Sequence, residues 1–166
     1  MVIFDLDQTL IDSQIAEQKR RAREWQSVYR LIPKFSVYDG ILDVIGRLRA
    51  KSVPMAVVTS SPRAYCERVV RHWGFDIPIL VGYHDTARRK PYPDPVIRAL
   101  QLAKRRSEEA VHVGDLPKDT EAAKAAGVVA IGAMWGTLDR DSLIGSEPDV
   151  LCETVDELWS CLAARF

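Results

Sequence analysis

Two aspartates one residue apart, Asp5 and Asp7, are the residues of this chain best suited to chemistry. They follow the short apolar run Val2–Phe4, which predicts a buried strand, and side chains two residues apart on a strand share a face. Two carboxylates held that close are costly unless a cation or a shared proton offsets their repulsion. The pair therefore indicates a metal site or acid and base chemistry, although a turn with two solvated carboxylates fits the same residues.

Further short apolar runs predict the sheet that must position this pair. They are rich in β-branched residues, as expected of strands buried on both faces. The runs are Met55–Val58, Ile79–Val81, Ala110–Val113 and Val128–Ile131, with a last short strand over residues 149–151 and a closing helix over 155–162. Because parallel strands need crossover connections, these runs predict an α/β fold with a doubly wound parallel sheet.

Helix signals stand between the predicted strands. Prolines suit first helical turns, with a capping side chain before each, and glycines suit helix ends. The predicted starts are Ser61-Pro62 and Asp94-Pro95, and the predicted ends are Gly74 and Gly127. The alternation of strands and helices is that of one domain over residues 1–166.

Polar residues follow the predicted strands at the edge where an open α/β sheet binds its ligands. Thr59 and Ser60 follow the second run, whereas Gly114 and Asp115 follow the fourth, with Asp119 one helical turn later. Helix caps and first-turn acids favoured by the helix dipole are the ordinary alternatives for each segment. Their recurrence at successive strand ends predicts a single site.

Converging carboxylates need a cation, and hard oxygen ligands with room for water and phosphate oxygens favour Mg²⁺. Lys90 is the candidate for further positive charge, because a lysine contacts a phosphoryl oxygen as a point charge. It lies in the segment 89–95, where three prolines stiffen the chain. A solvated loop lysine is the alternative.

Composition limits the class of protein. The chain has 166 residues, 47% hydrophobic and 28% charged, and its formal net charge is zero, so no overall field favours nucleic acid or a membrane surface. No apolar stretch approaches the roughly 20 residues of a membrane span, and no secretory leader is indicated. Cys66, Cys152 and Cys161 lack zinc-site spacing. We expect a cytoplasmic protein with free thiols.

Four segments resemble, in order and spacing, the motifs of the haloacid dehalogenase superfamily. They are FDLDQTL at 4–10, VVTSSP at 57–62, RKPYPDP at 89–95 and VGDLPKD at 113–119. The resemblance covers nearly the whole chain and is greatest to phosphoglycolate-phosphatase-like members. It implies a Rossmann-like core, a Mg²⁺ ion and phosphoryl transfer through an aspartyl phosphate.

The resemblance implies that Asp5 is the nucleophile and a Mg²⁺ ligand. It makes Asp7 the acid that protonates the leaving oxygen and the base that then activates water, with its backbone carbonyl on the metal. Since a halide leaving group needs no proton, Asp7 favours an oxygen leaving group, and hence a phosphatase. Gln8 departs from many relatives, which carry Gly or Asn there, as does Leu116-Pro117, where they often carry a polar residue.

The resemblance also assigns the remaining residues. Thr59 and the amide of Ser60 would hold the phosphoryl oxygens, Lys90 would neutralise them and orient Asp5, and Asp115 would complete the metal shell that Asp119 supports. The predicted activity is Mg²⁺-dependent hydrolysis of a phosphomonoester. A phosphotransferase and a non-catalytic phosphate-binding or regulatory domain are the alternatives.

A short helical insertion at about residues 12–37, in place of a full cap, is where substrate choice should lie. It is predicted to be one helix from Ser13 to about Leu31, with a basic cluster of Lys19, Arg20, Arg21 and Arg23, and Arg88 and Arg89 add charge beside Lys90. We hypothesise an open site with a basic rim for a bulky or polyanionic phosphoester, such as a nucleotide, a nucleic-acid end or a phosphoprotein. Alternatively, these cations form the solvated face of a helix that packs through Ile15, Ala22, Trp25 and Val28. An oligomer could also cover such a site.

Overall fold

A six-stranded parallel sheet organises the chain, whose 166 residues are all described by a computed structural model. In chain order the strands are β1 Val2–Phe4, β2 Ile11–Asp12, β3 Ser36–Val37, β4 Met55–Val58, β5 Ile79–Val81, β6 Val111–Gly114, β7 Val129–Ala133 and β8 Val150–Cys152. The sheet has the order β5-β4-β1-β6-β7-β8, and β2 and β3 form a separate antiparallel ladder. The predicted Rossmann-like α/β fold is confirmed.

The central strands β1, β4 and β6 form where the sequence places them because each is a short, mainly apolar run that is buried throughout. Ile3 at the centre of β1 pairs with Ala56 of β4 on one side and His112 of β6 on the other. The chain first winds outward from β1 to β4 and β5, then returns to β6 and continues to β7 and β8. The direction of winding therefore reverses between β1 and β6, the point where open α/β sheets form their binding crevice.

Helices cover both faces of the sheet. They are α1 Glu17–Arg21, α2 Trp25–Leu31, α3 Ile41–Ala50, α4 Arg63–Trp73, α5 Asp94–Ala103, α6 Pro117–Ala125, α7 Arg140–Gly145 and α8 Val155–Arg165. The larger core cluster lies between the sheet and α3, α4 and α8, while the smaller one packs α5 and α6 on the other face. None of the helices combines the length and apolar composition that a bilayer crossing requires.

The helix starts differ from the predicted ones. Pro62, rather than Ser61, occupies the capping position before α4, and the Ser61 hydroxyl donates a hydrogen bond to Asp7 instead. Asp94 is already the first residue of α5, and its carboxylate pairs with Arg88. Gly74 ends α4 in the left-handed conformation, as predicted.

The insertion between β2 and β3 is not one helix. A 3₁₀ turn at Gln14–Ala16 leads into α1, which ends before α2 begins. Arg23 between them has a φ of 58°, a left-handed conformation that an α-helix cannot continue through. The break also changes the packing, because Ile15 and Ala22 are exposed, contrary to expectation, whereas Ala16 and Val28 are buried.

The insertion docks on α4. Its Trp25 ring lies 5.8 Å from the Tyr65 ring, centroid to centroid, and Arg68 of α4 stacks over Tyr29 at 4.5 Å. Val28 and other buried residues of the insertion join the larger core cluster. The insertion is thereby packed against the element that follows β4.

Candidate active site

Three buried carboxylates from two strand ends meet at the reversal point of the sheet. Asp5 follows β1, Asp115 follows β6, and Asp119 lies in the first turn of α6. One carboxylate oxygen from each of the three residues lies within 4.8 Å of the other two. Asp5 is fixed by its backbone, because its amide donates to the carbonyl oxygen of Val113 at 2.8 Å.

Lys90 supplies the positive charge beneath this cluster. Its side chain is only 1% exposed, and its amine donates to Asp5 Oδ1 at 2.7 Å, to Asp119 Oδ1 at 2.5 Å and to the carbonyl oxygen of Val58 at 2.9 Å. The alternative of a solvated loop lysine is therefore wrong. Although burial opposes its charge, Asp119 and Asp5 raise the pKa of Lys90 above its usual range.

One lysine does not balance three carboxylates. Burial, followed by the charges of Asp5 and Asp119, raises the pKa of Asp115 well above its ordinary value. The hydroxyl of Thr9 donates to Asp115 Oδ1 at 3.0 Å and holds this carboxylate in place. The cluster thus has the oxygen donors and the excess negative charge that suit a hard divalent cation.

Asp119 reaches the cluster because Gly114 has no side chain. A Cβ at Gly114 would collide with Cβ and Cγ of Asp119. The second oxygen of Asp119 accepts a hydrogen bond from the amide of Leu116 at 3.2 Å, at the start of α6. Asp119 is therefore held from both sides.

Asp7 points away from the three-carboxylate cluster. Its Oδ1 accepts hydrogen bonds from the Ser13 hydroxyl at 2.6 Å and the Tyr65 hydroxyl at 2.7 Å, and it forms an ion pair with Arg20. Its Oδ2 accepts a hydrogen bond from the Ser61 hydroxyl at 3.0 Å. The side chain of Asp7 is not part of the candidate metal cluster, whereas a role of its backbone carbonyl remains a prediction.

A cavity of about 580 Å³ opens above these residues. Five of the predicted site residues line it, namely Asp5, Asp7, Thr59, Ser60 and Asp115. Thr59 Oγ1 accepts a hydrogen bond from the amide of Ser61 at 3.0 Å, which leaves its hydroxyl proton for a ligand. Lys90 and Asp119 lie beneath the cavity wall and do not line it.

The loop after the first strand has an unusual backbone. Gln8 has a φ of 63°, in the left-handed region that Gly and Asn adopt most readily. The side chain of Gln8 accepts a hydrogen bond from the Tyr38 hydroxyl at 2.8 Å. Gly136 packs against its backbone, where a Cβ would collide with the Gln8 carbonyl oxygen.

The basic residues of the insertion and of the neighbouring loops differ in their partners and in whether they line the cavity. Arg20 reaches Asp7, so the alternative of a solvated face is wrong for this residue, whereas Lys19 pairs with Glu24 near the surface. Arg21 pairs with Glu17, and both line the cavity. Arg23 and Lys118 line the cavity and form no salt bridge. Outside it, Arg88 stacks on Tyr92 and pairs with Asp94, and Arg89 stacks on Tyr83.

Several partners of the site were not predicted from the sequence. The motifs give no role to Thr9, Ser13 and Tyr65, and the pattern around Ser61 predicts a helix cap. The signal for Ser13 and Ser61 was only their short polar side chains near strand ends. Nothing in the local sequence distinguishes Tyr65 from a core tyrosine, and only the docking of the insertion brings Arg20 to it.

Comparison with known proteins places this chain in a family. The model of the haloacid dehalogenase-like hydrolases matches residues 13–133. The chain is 35% identical over 128 residues to the "Putative pyrophosphatase PpaX" of Caldanaerobacter subterraneus subsp. tengcongensis, covering 76% of this chain and 57% of that protein. It is 28% identical over 130 residues to the phosphoglycolate phosphatase of Escherichia coli K12, covering 76% and 51%. The chain thus spans about half the length of these curated relatives.

Solved structures share the fold. A "putative phosphoglycolate phosphatase" of Lactobacillus plantarum superposes with a TM-score of 0.85 at 20% identity, covering 99% of this chain and 98% of that one. A hydrolase of Pseudomonas syringae superposes with a TM-score of 0.82 at 20% identity, covering 98% and 97%. Taken with the family match, the ordered strand-end residues and their geometry show that the chain belongs to the haloacid dehalogenase-like hydrolases.

Proposed function

We propose that this protein is a Mg²⁺-dependent phosphomonoester hydrolase that acts through an aspartyl phosphate on Asp5. The observation that carries the proposal is the cluster of Asp5, Asp115 and Asp119 around Lys90, at a cavity that Asp7 and Thr59 also line. A nucleophilic carboxylate with a lysine beside it, a second carboxylate for proton transfer, and hydroxyl and amide donors for the phosphoryl oxygens are groups that suit this chemistry.

The donor set fits the cation. Asp5 and Asp115 would hold Mg²⁺ from the cavity side, Asp119 would complete the acidic cluster beneath them, and the backbone carbonyl of Asp7 would add a ligand. When bound, the ion neutralises the negative charge that collects on the phosphoryl group. The raised pKa of Asp115 supports a cation, since carboxylates that repel each other gain from positive charge between them.

In the first step, Asp5 attacks phosphorus as the bond from phosphorus to the leaving oxygen breaks. The electron pair of that bond stays on the leaving oxygen, and Asp7 donates it a proton, so an alcohol departs. Thr59 and the amide of Ser60 bind the phosphoryl oxygens, while Lys90 orients Asp5. Preorganised donors of this kind are the main source of catalysis in phosphoryl transfer.

In the second step, water attacks the phosphorus of the aspartyl phosphate. Asp7, now a carboxylate, takes one proton from that water as its oxygen bonds to phosphorus. The bond between phosphorus and Asp5 breaks, and its electron pair restores the Asp5 carboxylate and releases inorganic phosphate. Asp7 thereby serves as acid and then as base.

The names of the relatives favour a phosphate substrate with a further negative charge. One is named for pyrophosphate and another for phosphoglycolate, each of which carries a second anionic group. In this chain, Arg21, Arg23 and Lys118 line the cavity and could bind such a group. The insertion at about residues 12–37, in place of a full cap, would leave the site accessible to a bulky or polyanionic phosphoester.

Hydrolysis of p-nitrophenyl phosphate tests the proposal. We expect Mg²⁺-dependent release of phosphate by the wild type and a loss of at least about 1,000-fold in Asp5→Asn, because the nucleophile is removed. Asp43→Asn, which changes an exposed aspartate on α3, is the matched control. Equal rates for wild type and Asp5→Asn would contradict the nucleophile assignment, whereas binding of phosphate without turnover would favour a regulatory domain.

The same assay can identify the group that accepts the phosphate and the preferred substrate. Transfer of phosphate to an added alcohol, in place of its release, would identify a phosphotransferase. A panel of pyrophosphate, phosphoglycolate, nucleotides and phosphorylated oligonucleotides then ranks substrates by kcat/KM. We expect substrates with an additional anionic group to rank above neutral phosphomonoesters.

A further inference from the structure

We propose that Arg20 is a positioning residue for Asp7, fixing one oxygen of this carboxylate so that the other meets the reacting group. The proposal rests on the proposed function, in which Asp7 transfers protons. It adds a role for the insertion, which contributes Arg20 although none of the predicted catalytic residues lies within it.

The contacts of Asp7 are distributed unequally between its two oxygens. Oδ1 contacts three groups from two parts of the chain, namely Ser13 and Arg20 of the insertion and Tyr65 of α4. Oδ2 has one donor, Ser61. Since a carboxylate oxygen has two lone pairs, Oδ1 is fully engaged and Oδ2 keeps capacity for one more hydrogen bond. Oδ2 is therefore the oxygen available for proton transfer.

The Arg20 side chain is mostly buried against Asp7 rather than extended into solvent. Its side chain is 13% exposed and that of Asp7 is 15% exposed, whereas Arg21, the next residue, is 80% exposed. The Arg20 guanidinium also donates to the Ser13 hydroxyl at 2.7 Å, and Ser13 in turn donates to Asp7. Arg20 thus holds Asp7 both directly and through a second donor.

Tyr65 completes the same arrangement from the core side. Burial and the neighbouring Asp7 raise the pKa of the Tyr65 hydroxyl, so this group remains a hydrogen-bond donor. The Trp25 ring of the insertion packs on the Tyr65 ring at 5.8 Å. Docking of the insertion therefore brings Arg20 and Tyr65 to the same oxygen of Asp7.

A positioning role predicts for which substrates kcat/KM falls when Arg20 is replaced. Proton transfer to the leaving oxygen depends on the orientation of Asp7 and matters most for alkoxide leaving groups, while p-nitrophenolate leaves without a full proton. We expect Arg20→Met to lower kcat/KM for glycerol 2-phosphate by about 10- to 100-fold and for p-nitrophenyl phosphate by less than about 3-fold. Glycerol 2-phosphate carries no second anion that Arg20 could bind.

A double-mutant cycle separates positioning from direct binding. If Arg20 acts through Asp7, Arg20→Met in an Asp7→Asn background should lower kcat/KM for glycerol 2-phosphate by less than about 2-fold. Arg20→Lys should recover part of the lost activity because it keeps the charge. Arg30→Met, which changes an exposed arginine of α2 outside the cavity, should leave both substrates unaffected.

Three results would overturn the proposal. They are an equal loss for both substrates, an undiminished loss in the Asp7→Asn background, and a higher rate in Arg20→Met. Because partial unfolding would also lower both rates alike, an equal loss overturns the proposal when circular dichroism shows that Arg20→Met keeps the native fold. Absence of Asp5-dependent turnover in the wild type would refute the proposed function, and the positioning role with it.

Discussion

Lys90 shows at the level of a single residue how a cation becomes part of a buried site. Its amine contacts two carboxylates and a carbonyl oxygen, and its side chain is almost completely buried. Burial of one charge is costly unless good hydrogen bonds and opposite charges compensate. Here the three contacts use all three protons of the ammonium group, so Lys90 is held by geometry as well as by charge.

His112 is a buried residue that should make the stability of the fold depend on pH. Its side chain lies in β6, and neither ring nitrogen has a hydrogen-bond partner. Burial, and then the charge of Lys90, lowers the pKa of His112 from 6.5 to about 3. Between these values the unfolded chain binds a proton that the folded protein does not, so the free energy of unfolding falls as the pH falls below about 6.5.

We predict that His112→Leu reduces this loss. The contribution of one such histidine reaches at most about 1.4 kcal/mol per pH unit. Urea unfolding of the wild type and of His112→Leu at several pH values between about 7 and about 5 measures this contribution. As the pH falls, the free energy of unfolding should decrease less in the variant than in the wild type. A difference between the two proteins that does not change with pH would contradict the lowered pKa of His112.

At the scale of elements, two glycines differ in whether the structure has room for a side chain. Gly46 lies within α3, and an added Cβ there meets no atom within 4 Å. Gly136 follows β7, and an added Cβ there collides with the backbone of Gln8. The first glycine only weakens a helix, whereas the second lets one loop approach another.

We predict that Gly46→Ala raises the free energy of unfolding by about 0.5–1 kcal/mol, because alanine loses less backbone entropy in a helix. Gly136→Ala should lower both stability and phosphatase activity, since the collision displaces the loop that follows Asp7. Thermal unfolding and hydrolysis of p-nitrophenyl phosphate measure the two effects. A Gly136→Ala variant with unchanged or higher stability and full activity would contradict the requirement for glycine at this position.

The elements also show what local sequence can predict. The strands of the main sheet were predictable because burial on both faces requires runs such as Met55–Val58. The insertion was not, because its basic and apolar residues fit one helix and the break at Arg23 depends on packing against α4. The side chains that hold Asp7 lie as many as 58 residues from it in the chain, so their convergence depends on that docking.

For the whole molecule, the proposed ion should contribute to stability. When all three carboxylates are ionised, one lysine leaves an excess of two negative charges, which Mg²⁺ would cancel. Ligand at about 100 times its Kd stabilises the folded state by about 2.7 kcal/mol. For a domain of this length we therefore expect saturating Mg²⁺ to raise the Tm by about 5–10 °C.

Asp115→Asn tests this expectation with a side chain of nearly equal shape. Without Mg²⁺ the variant should have a higher Tm than the wild type, because one of three repelling charges is gone. With Mg²⁺ its Tm should rise little, whereas Asp43→Asn should behave like the wild type. A full Mg²⁺ response in Asp115→Asn would place the ion elsewhere.

The site as a whole was more predictable than its surroundings. The order of the strands brings Asp5, Thr59 and Asp115 to one edge, which the positions of these residues after successive apolar runs already indicated. The depth of Lys90 and Asp119 was not predictable, because it depends on the missing side chain at Gly114 and on how the 89–95 segment brings the Lys90 amine to the carbonyl oxygen of Val58. The direction of Asp7 depends on the insertion.

The shared attachment of Asp7 has a consequence for the timing of a catalytic cycle. Ser13 and Arg20 belong to the insertion, whereas Ser61 and Tyr65 lie outside it. Displacing the insertion to admit a large substrate would therefore separate two of the four groups that hold Asp7. In the proposed cycle, Asp7 would transfer protons efficiently only while the insertion is docked on α4. A site opened in this way would bind substrate without turning it over.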